Sequence, residues 1–99
     1  MEKFALHYKV LEGDIQQIKE ELAVGGCNID ELDNWGYAPL HWAVVNMQYE
    51  IVMLLLGAGA NPDVISSVGL TPQKIAYSLE FYDIEQLFFQ CTPSLQMAS

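Results

Sequence analysis

Two histidines, two cysteines and a pair of neighbouring aromatic residues offer this sequence its reactive or adhesive chemistry. His7 and His41 could serve as general bases or metal ligands, and Cys27 and Cys91 as nucleophiles or thiolate ligands. These four positions show none of the short spacings of a metal site. No nucleophile stands in an arrangement that supplies it with a base. Gly57-Ala58-Gly59 is glycine-rich, but it follows a helical pattern, whereas a phosphate loop opens one. Catalytic, cofactor and metal residues are therefore not expected, and the chain reads as a non-enzyme. Trp35 and Tyr37 remain, and aromatic residues of this kind are favoured anchors of protein interfaces.

Composition narrows the partner. Of 99 residues, 52% are hydrophobic, enough for one packed domain. The net charge is −9, from thirteen acidic residues against four lysines and no arginine. No basic residue lies between Lys19 and Lys74. Nucleic acid and anionic membrane surfaces both demand cationic contacts and are excluded as expected partners. A protein with a basic or apolar surface fits better, because an acidic field speeds its arrival. The plain alternative is that the charge only maintains solubility. The longest apolar run, Ile51 to Ala60, is too short to span a bilayer. Met1-Glu2-Lys3-Phe4 lacks a signal-type apolar run, and two cysteines make no disulfide framework, so a reducing, cytoplasmic setting is expected.

The elements that must hold these residues are written twice. Gly36-Tyr37-Ala38-Pro39-Leu40-His41-Trp42-Ala43 aligns with Gly69-Leu70-Thr71-Pro72-Gln73-Lys74-Ile75-Ala76, 33 residues later. A period of this length marks a stack of small units, each burying its face against its neighbours. Asp33-Asn34-Trp35-Gly36 is turn chemistry. Pro39 then opens a helix, where its missing N–H is harmless, and Leu40, Ala43 and Val44 follow at helical spacing to about Met47. A second helix runs from about Glu50 through Ile51-Val52-Met53-Leu54-Leu55-Leu56. Gly59 is the expected left-handed cap and Pro62 the stop.

Ala38-Pro39-Leu40-His41-Trp42-Ala43, with Glu50-Ile51-Val52-Met53-Leu54-Leu55-Leu56-Gly57-Ala58-Gly59-Ala60-Asn61 behind it, resembles an ankyrin repeat. The resemblance covers about residues 4 to 90. It implies an all-α helical solenoid of about three helix-turn-helix repeats joined by β-turn loops. Residues 33–65 form the full central repeat, 1–32 an N-terminal capping repeat, 66–91 a C-terminal capping repeat and 92–99 a tail. In the later unit Thr71 is a proper N-cap, and Asp83 to Phe89 form the second helix. In the earlier one, Phe4, Leu6, Val10 and Leu11 form an apolar stripe, and one residue is lost before Gly13 and one gained near Gly26. Ala38, Met47, Gln73 and Lys74 depart from the family pattern, which has Thr, Gly, Leu and His there.

The resemblance also assigns roles. His41 ties adjacent loops through backbone hydrogen bonds, Trp42 is buried between repeats, and His7, one place out of phase, is a surface or helix residue. Recognition falls to the turn tips and the exposed side of each first helix, which form a concave face. Asp33, Asn34, Trp35 and Tyr37 stand on one tip, and Ser67, Val68 and Leu70 on the next. Val45, Asn46, Ser78 and Leu79 extend the surface along the helices. Trp35 and Tyr37 are the expected anchors, and Asp33, Asn34 and nearby carboxylates orient the partner. Two other readings compete: weak self-association through the terminal faces, and inhibition of a basic enzyme or toxin. No cofactor is expected.

Overall fold

The computed structural model describes residues 5–25 and 28–89, and within them six helices and no strand. Phe4, Cys27, Cys91 and the expected tail at 92–99 lie outside the described residues. The helices are α1 (Ala5–Glu12), α2 (Ile15–Val24), α3 (Pro39–Val45), α4 (Tyr49–Gly57), α5 (Pro72–Ser78) and α6 (Tyr82–Phe89). They form three antiparallel pairs. One row of first helices runs α1–α3–α5, with adjacent members in contact, and α2, α4 and α6 back onto them. The molecule is accordingly long and narrow, 45 × 26 × 18 Å.

Local chemistry sets each boundary. Pro39 and Pro72 occupy the first turn of α3 and α5, and both are buried. Thr71 caps α5 by accepting the Lys74 N–H at 3.2 Å. Ala38 has no such oxygen, and the Ala38 N–H is bonded instead by Nδ1 of His41 at 3.0 Å. Asp14 caps α2 through the Gln17 N–H. The reversals between paired helices turn on one left-handed residue each: Gly13 at φ 76°, Met47 at φ 54° and Glu80 at φ 64°. The first is glycine and the others are not, so two of the three corners carry backbone strain of about 1–2 kcal/mol. Gln48 reaches from the second corner to donate to the Val10 carbonyl at 2.8 Å, satisfying an acceptor at the end of α1.

Leu40, Val44, Val52 and Leu55 are wholly buried between the pairs, with Leu6, Val10 and Ile18 before them and Ile84 and Phe88 after. A side chain of this size contributes about 1.5–3 kcal/mol when fully buried. Among the aromatic residues Phe81, Tyr82, Phe88 and Phe89 of the third pair, Phe88 is core, Tyr82 and Phe89 are exposed and Phe81 is half-buried. The outward side of the third pair breaks the pattern. Gln73, Lys74, Tyr77 and Glu85 take the places that Leu40, His41, Val44 and Val52 hold one unit earlier. The earlier four are fully buried, whereas Tyr77 is 64% exposed and Lys74 faces solvent. Polar groups here end the apolar seam.

The first pair corrects three expectations: a surface place for His7, a residue lost before Gly13, and Leu11 in the apolar stripe. His7, read as a surface or helix residue, is on helix α1 but not at the surface: it is buried and hydrogen-bonds through Nε2 to the Tyr37 carbonyl at 3.0 Å. Gly25 to Asn28 is one residue longer than Gly59 to Asn61, so positions ahead of that loop match the second unit at 34 residues, not 33. His7 then coincides with His41, Gly13 with Met47 and Gly25 with Gly59. Leu11, placed in the apolar stripe with Leu6 and Val10, is 47% exposed and faces outward.

Candidate protein-binding surface

Each tip is built around one side chain that gathers backbone N–H groups. Asp33 accepts from the N–H groups of Trp35 and Tyr37 through Oδ1, both at 3.0 Å, and from Trp42 Nε1 through Oδ2 at 2.7 Å. Ser66 does the same in the next unit, its hydroxyl accepting from the Val68 and Leu70 N–H groups. The ring closes through backbone pairs, Asp33 with Tyr37 and Ser66 with Leu70. Burial pushes the Asp33 carboxyl up, but the Tyr37, Trp42 and Trp35 N–H groups and nearby His7 outweigh it and hold it below its ordinary value. The carboxylate expected to orient a partner is therefore engaged inside the tip.

Histidines lock successive tips to the helices before them. His41 receives the Ala38 N–H on Nδ1, so its proton sits on Nε2 and is donated to the Leu70 carbonyl at 2.9 Å. Burial lowers the His41 pKa, against the raising effect of its backbone partners and Asp33. The ring is thus held neutral, as a strut between units. Adjacent tips also join directly, the Ser67 N–H donating to the Gly36 carbonyl at 2.9 Å.

The recognition residues read from the sequence divide into two sets. Trp35 and Val68 project from the tips, 72% and 65% exposed, with Asn34 and Ser67 exposed beside them. Tyr37 and Leu70 are half-buried and lean inward. The Tyr37 ring meets His41 and Trp42 edge-on, with centroids 5.6 and 5.4 Å apart. Four residues expected as one greasy fingertip patch are therefore two projecting groups and two groove walls. Val45 and Ser78 are exposed at the ends of α3 and α5, and Asn46 and Leu79 just beyond them.

Two depressions mark this face. The larger, about 430 Å³, lies between α3 and α5 and is walled by Tyr37, Trp42, Val45, Leu70 and Leu79. A smaller one, about 170 Å³, lies between α1 and the first tip, against Tyr8, Leu11, Trp35 and Trp42. Trp42 is not buried between repeats, as its position suggested. It is half-buried and forms the ridge between both depressions, held by its indole bond to Asp33. Tyr8, Leu11 and Trp42 were not among the expected surface residues. Leu11, Val45 and Ser78 occupy one phase of the three units, so correct register at the first would have pointed to Leu11.

Among the described residues no cluster of histidine, cysteine or carboxylate side chains could hold a metal ion, and no helix is long and apolar enough to cross a membrane. Across residues 2–93 the sequence matches the family model described as ankyrin repeats in three copies. The chain belongs to the ankyrin-repeat family. Its fold is an all-α ankyrin solenoid, as the central motif implied. It is similar to the human transient receptor potential cation channel subfamily A member 1, with 36% identity over 77% of this chain and 7% of that protein. It is also similar to the human DNA-binding protein RFXANK, with 30% identity over 67% of the chain and 25% of the relative. The mouse 2-5A-dependent ribonuclease shares 41% identity over 68% of the chain and 9% of its own length. The chain thus spans a quarter or less of each of these three curated relatives. Ankyrin repeats are generally protein–protein interaction modules, and the family is generally non-catalytic.

Proposed function

We propose that this chain is a non-catalytic module that binds a protein partner on the face carried by α1, α3, α5 and the two tips. The observation that carries the reading is the apolar strip along this face. Tyr8, Leu11, Trp35, Trp42, Val45 and Leu79 follow one another across the three units, and all but Trp42 are at least 40% exposed. A contiguous apolar strip on the surface of this chain marks a binding site. Tips and helices are cross-linked by His41, Asp33 and the Ser67–Gly36 bond, so the surface is largely formed before a partner arrives. Asn34, Asn46, Ser67 and Ser78 supply the polar margin.

Self-association by end-to-end stacking is less well supported. The open side of α5 and α6 carries Gln73, Lys74 and Glu85 where a stacking face needs apolar residues. Affinity capture from extracts of the native cell tests the proposal, with wild type beside Trp35→Ala/Leu79→Ala. Both side chains are exposed, so the variant should keep its helicity and melting temperature while losing the captured partner. Capture undiminished in the variant would reject the face.

A further inference from the structure

On the reading of this face as a protein-binding surface, its relief and charge specify the ligand more closely. The two depressions flank Trp42, one against α1 and the other against α5. They are separated by one inner-helix spacing, about 8–10 Å for helices in contact. Seven residues of an α-helix rise about 10.5 Å and return nearly to the same side, so two side chains two turns apart match that separation. Both depressions are mainly apolar, and no lysine lines either one. The charge around them is acidic at the helix ends, while Lys9 in the last turn of α1 pairs with Glu21 at 2.9 Å and Lys74 is exposed on α5. Glu12 ends α1 and Glu80 follows α5, both exposed, and α3 and α5 carry no basic residue in their last turns. The carboxyl ends of these helices add partial negative charge to the same edge. The whole chain carries −9.

We propose that the occupant is a cationic amphipathic helix of a partner protein, laid across α1, α3 and α5. Two apolar side chains two turns apart enter the depressions on either side of Trp42, and lysine or arginine residues beside them face the acidic edge. Trp35 closes over one end of the helix from its tip. Such a segment combines helix-in-groove anchoring with charge complementarity.

Both tryptophans of the chain, Trp35 and Trp42, lie on this face, so intrinsic fluorescence reports its occupation directly. The probes are tryptophan-free synthetic helical peptides: one lysine-rich with two leucines seven residues apart, one with the leucines three apart, and one with glutamate for every lysine. The first should shift the tryptophan emission saturably and bind about tenfold or more tighter than the second, the loss expected for one missed anchor. The glutamate peptide should give no saturable shift over the same range. Val45→Lys should abolish the response to the first peptide with the circular dichroism unchanged. Equal affinity for both leucine spacings, equal binding of the glutamate peptide, or no saturable shift with any probe would each overturn the inference. Should the peptides fail while the native partner is still lost by Trp35→Ala/Leu79→Ala, only the helical ligand falls. Should that variant retain the partner, the binding face itself falls, and the helix with it.

Discussion

The Nε2 of His41 donates a proton to the carbonyl oxygen of Leu70 at 2.9 Å, joining the start of one inner helix to the tip of the next unit. The bond requires a neutral ring, because Nδ1 is occupied as an acceptor for the Ala38 N–H. Burial lowers the folded-state pKa below the ordinary 6.5, so the unfolded chain binds the proton more readily. The stability linked to this group is fully present above about pH 6.5 and is lost as pH falls through the folded-state pKa. Urea denaturation at stepped pH should show that decline beginning near 6.5. His41→Gln has no titratable ring and should flatten the slope, with a general loss of about 1–3 kcal/mol for the disturbed buried bonds. An identical slope in the variant would assign the pH dependence elsewhere.

Gly36 and Gly69 share a φ of 85°, yet they stand in different surroundings. A Cβ at Gly36 would overlap the Ser67 side chain, whereas at Gly69 it would meet nothing within 4 Å. Gly69→Ala should therefore carry only left-handed strain, about 1–2 kcal/mol. Gly36→Ala should cost more, because it also pushes the second tip away and breaks the Ser67–Gly36 bond. Thermal melting of the two variants decides the order, and Ser67→Gly added to Gly36→Ala should recover part of the difference. Equal melting temperatures for the two alanine variants would refute tip-to-tip contact.

How far the sequence disclosed this structure varies by residue, for physical reasons. Pro39, Pro72, Thr71 and Gly59 act within a turn or two of their own position, so their roles could be read directly. His7 could not, because its phase depends on one extra residue some twenty positions away, between Gly25 and Asn28. Trp42 sits at an apolar helical position, and periodicity cannot distinguish a buried ring from one forming a ridge. Its exposure is decided by Asp33, which holds the indole on the outer side. Tyr37 reads as a fingertip by position, but its ring finds His41 and Trp42 instead of solvent. The Met47 corner was marked in the sequence by a missing glycine. The Glu80 corner carries the same mark, because a count of 33 from Met47 leads to it.

Those two corners make a prediction of opposite sign. Met47 and Glu80 adopt left-handed φ values of 54° and 64°, where Gly13 serves the first pair without strain. Glycine relieves about 1–2 kcal/mol of steric cost and gives back roughly 0.5–1 in chain entropy. Met47→Gly and Glu80→Gly should each raise stability by up to about 1 kcal/mol, seen as a higher urea midpoint at unchanged slope. The Met47 side chain is 62% exposed, so little packing is lost with it. Destabilisation by both would show that the corners are not strained as described.

Asp33 and Ser66 perform one task with different reach, and that difference isolates the bond that shapes the binding face. Both gather the two N–H groups of their tips, but only the carboxylate also holds an indole. Asp33→Ser should keep the tip folded, as Ser66 does, and release Trp42, with a loss of about 1 kcal/mol or somewhat more because the lost acceptor is charged. Asp33→Ala should lose the tip bonds as well and fall further. Asp33 is held below its ordinary pKa, so its contribution is present above that value and disappears as pH drops through the lower folded-state one. The wild type should therefore show, beyond the loss due to His41, a further loss of stability at lower pH that both variants lack. Tryptophan emission gives the second readout: freeing the Trp42 indole should change quenching in Asp33→Ser, while Trp35→Ala/Asp33→Ser retains that change. If emission moves only when Trp35 is present, the ridge between the two depressions does not depend on Asp33.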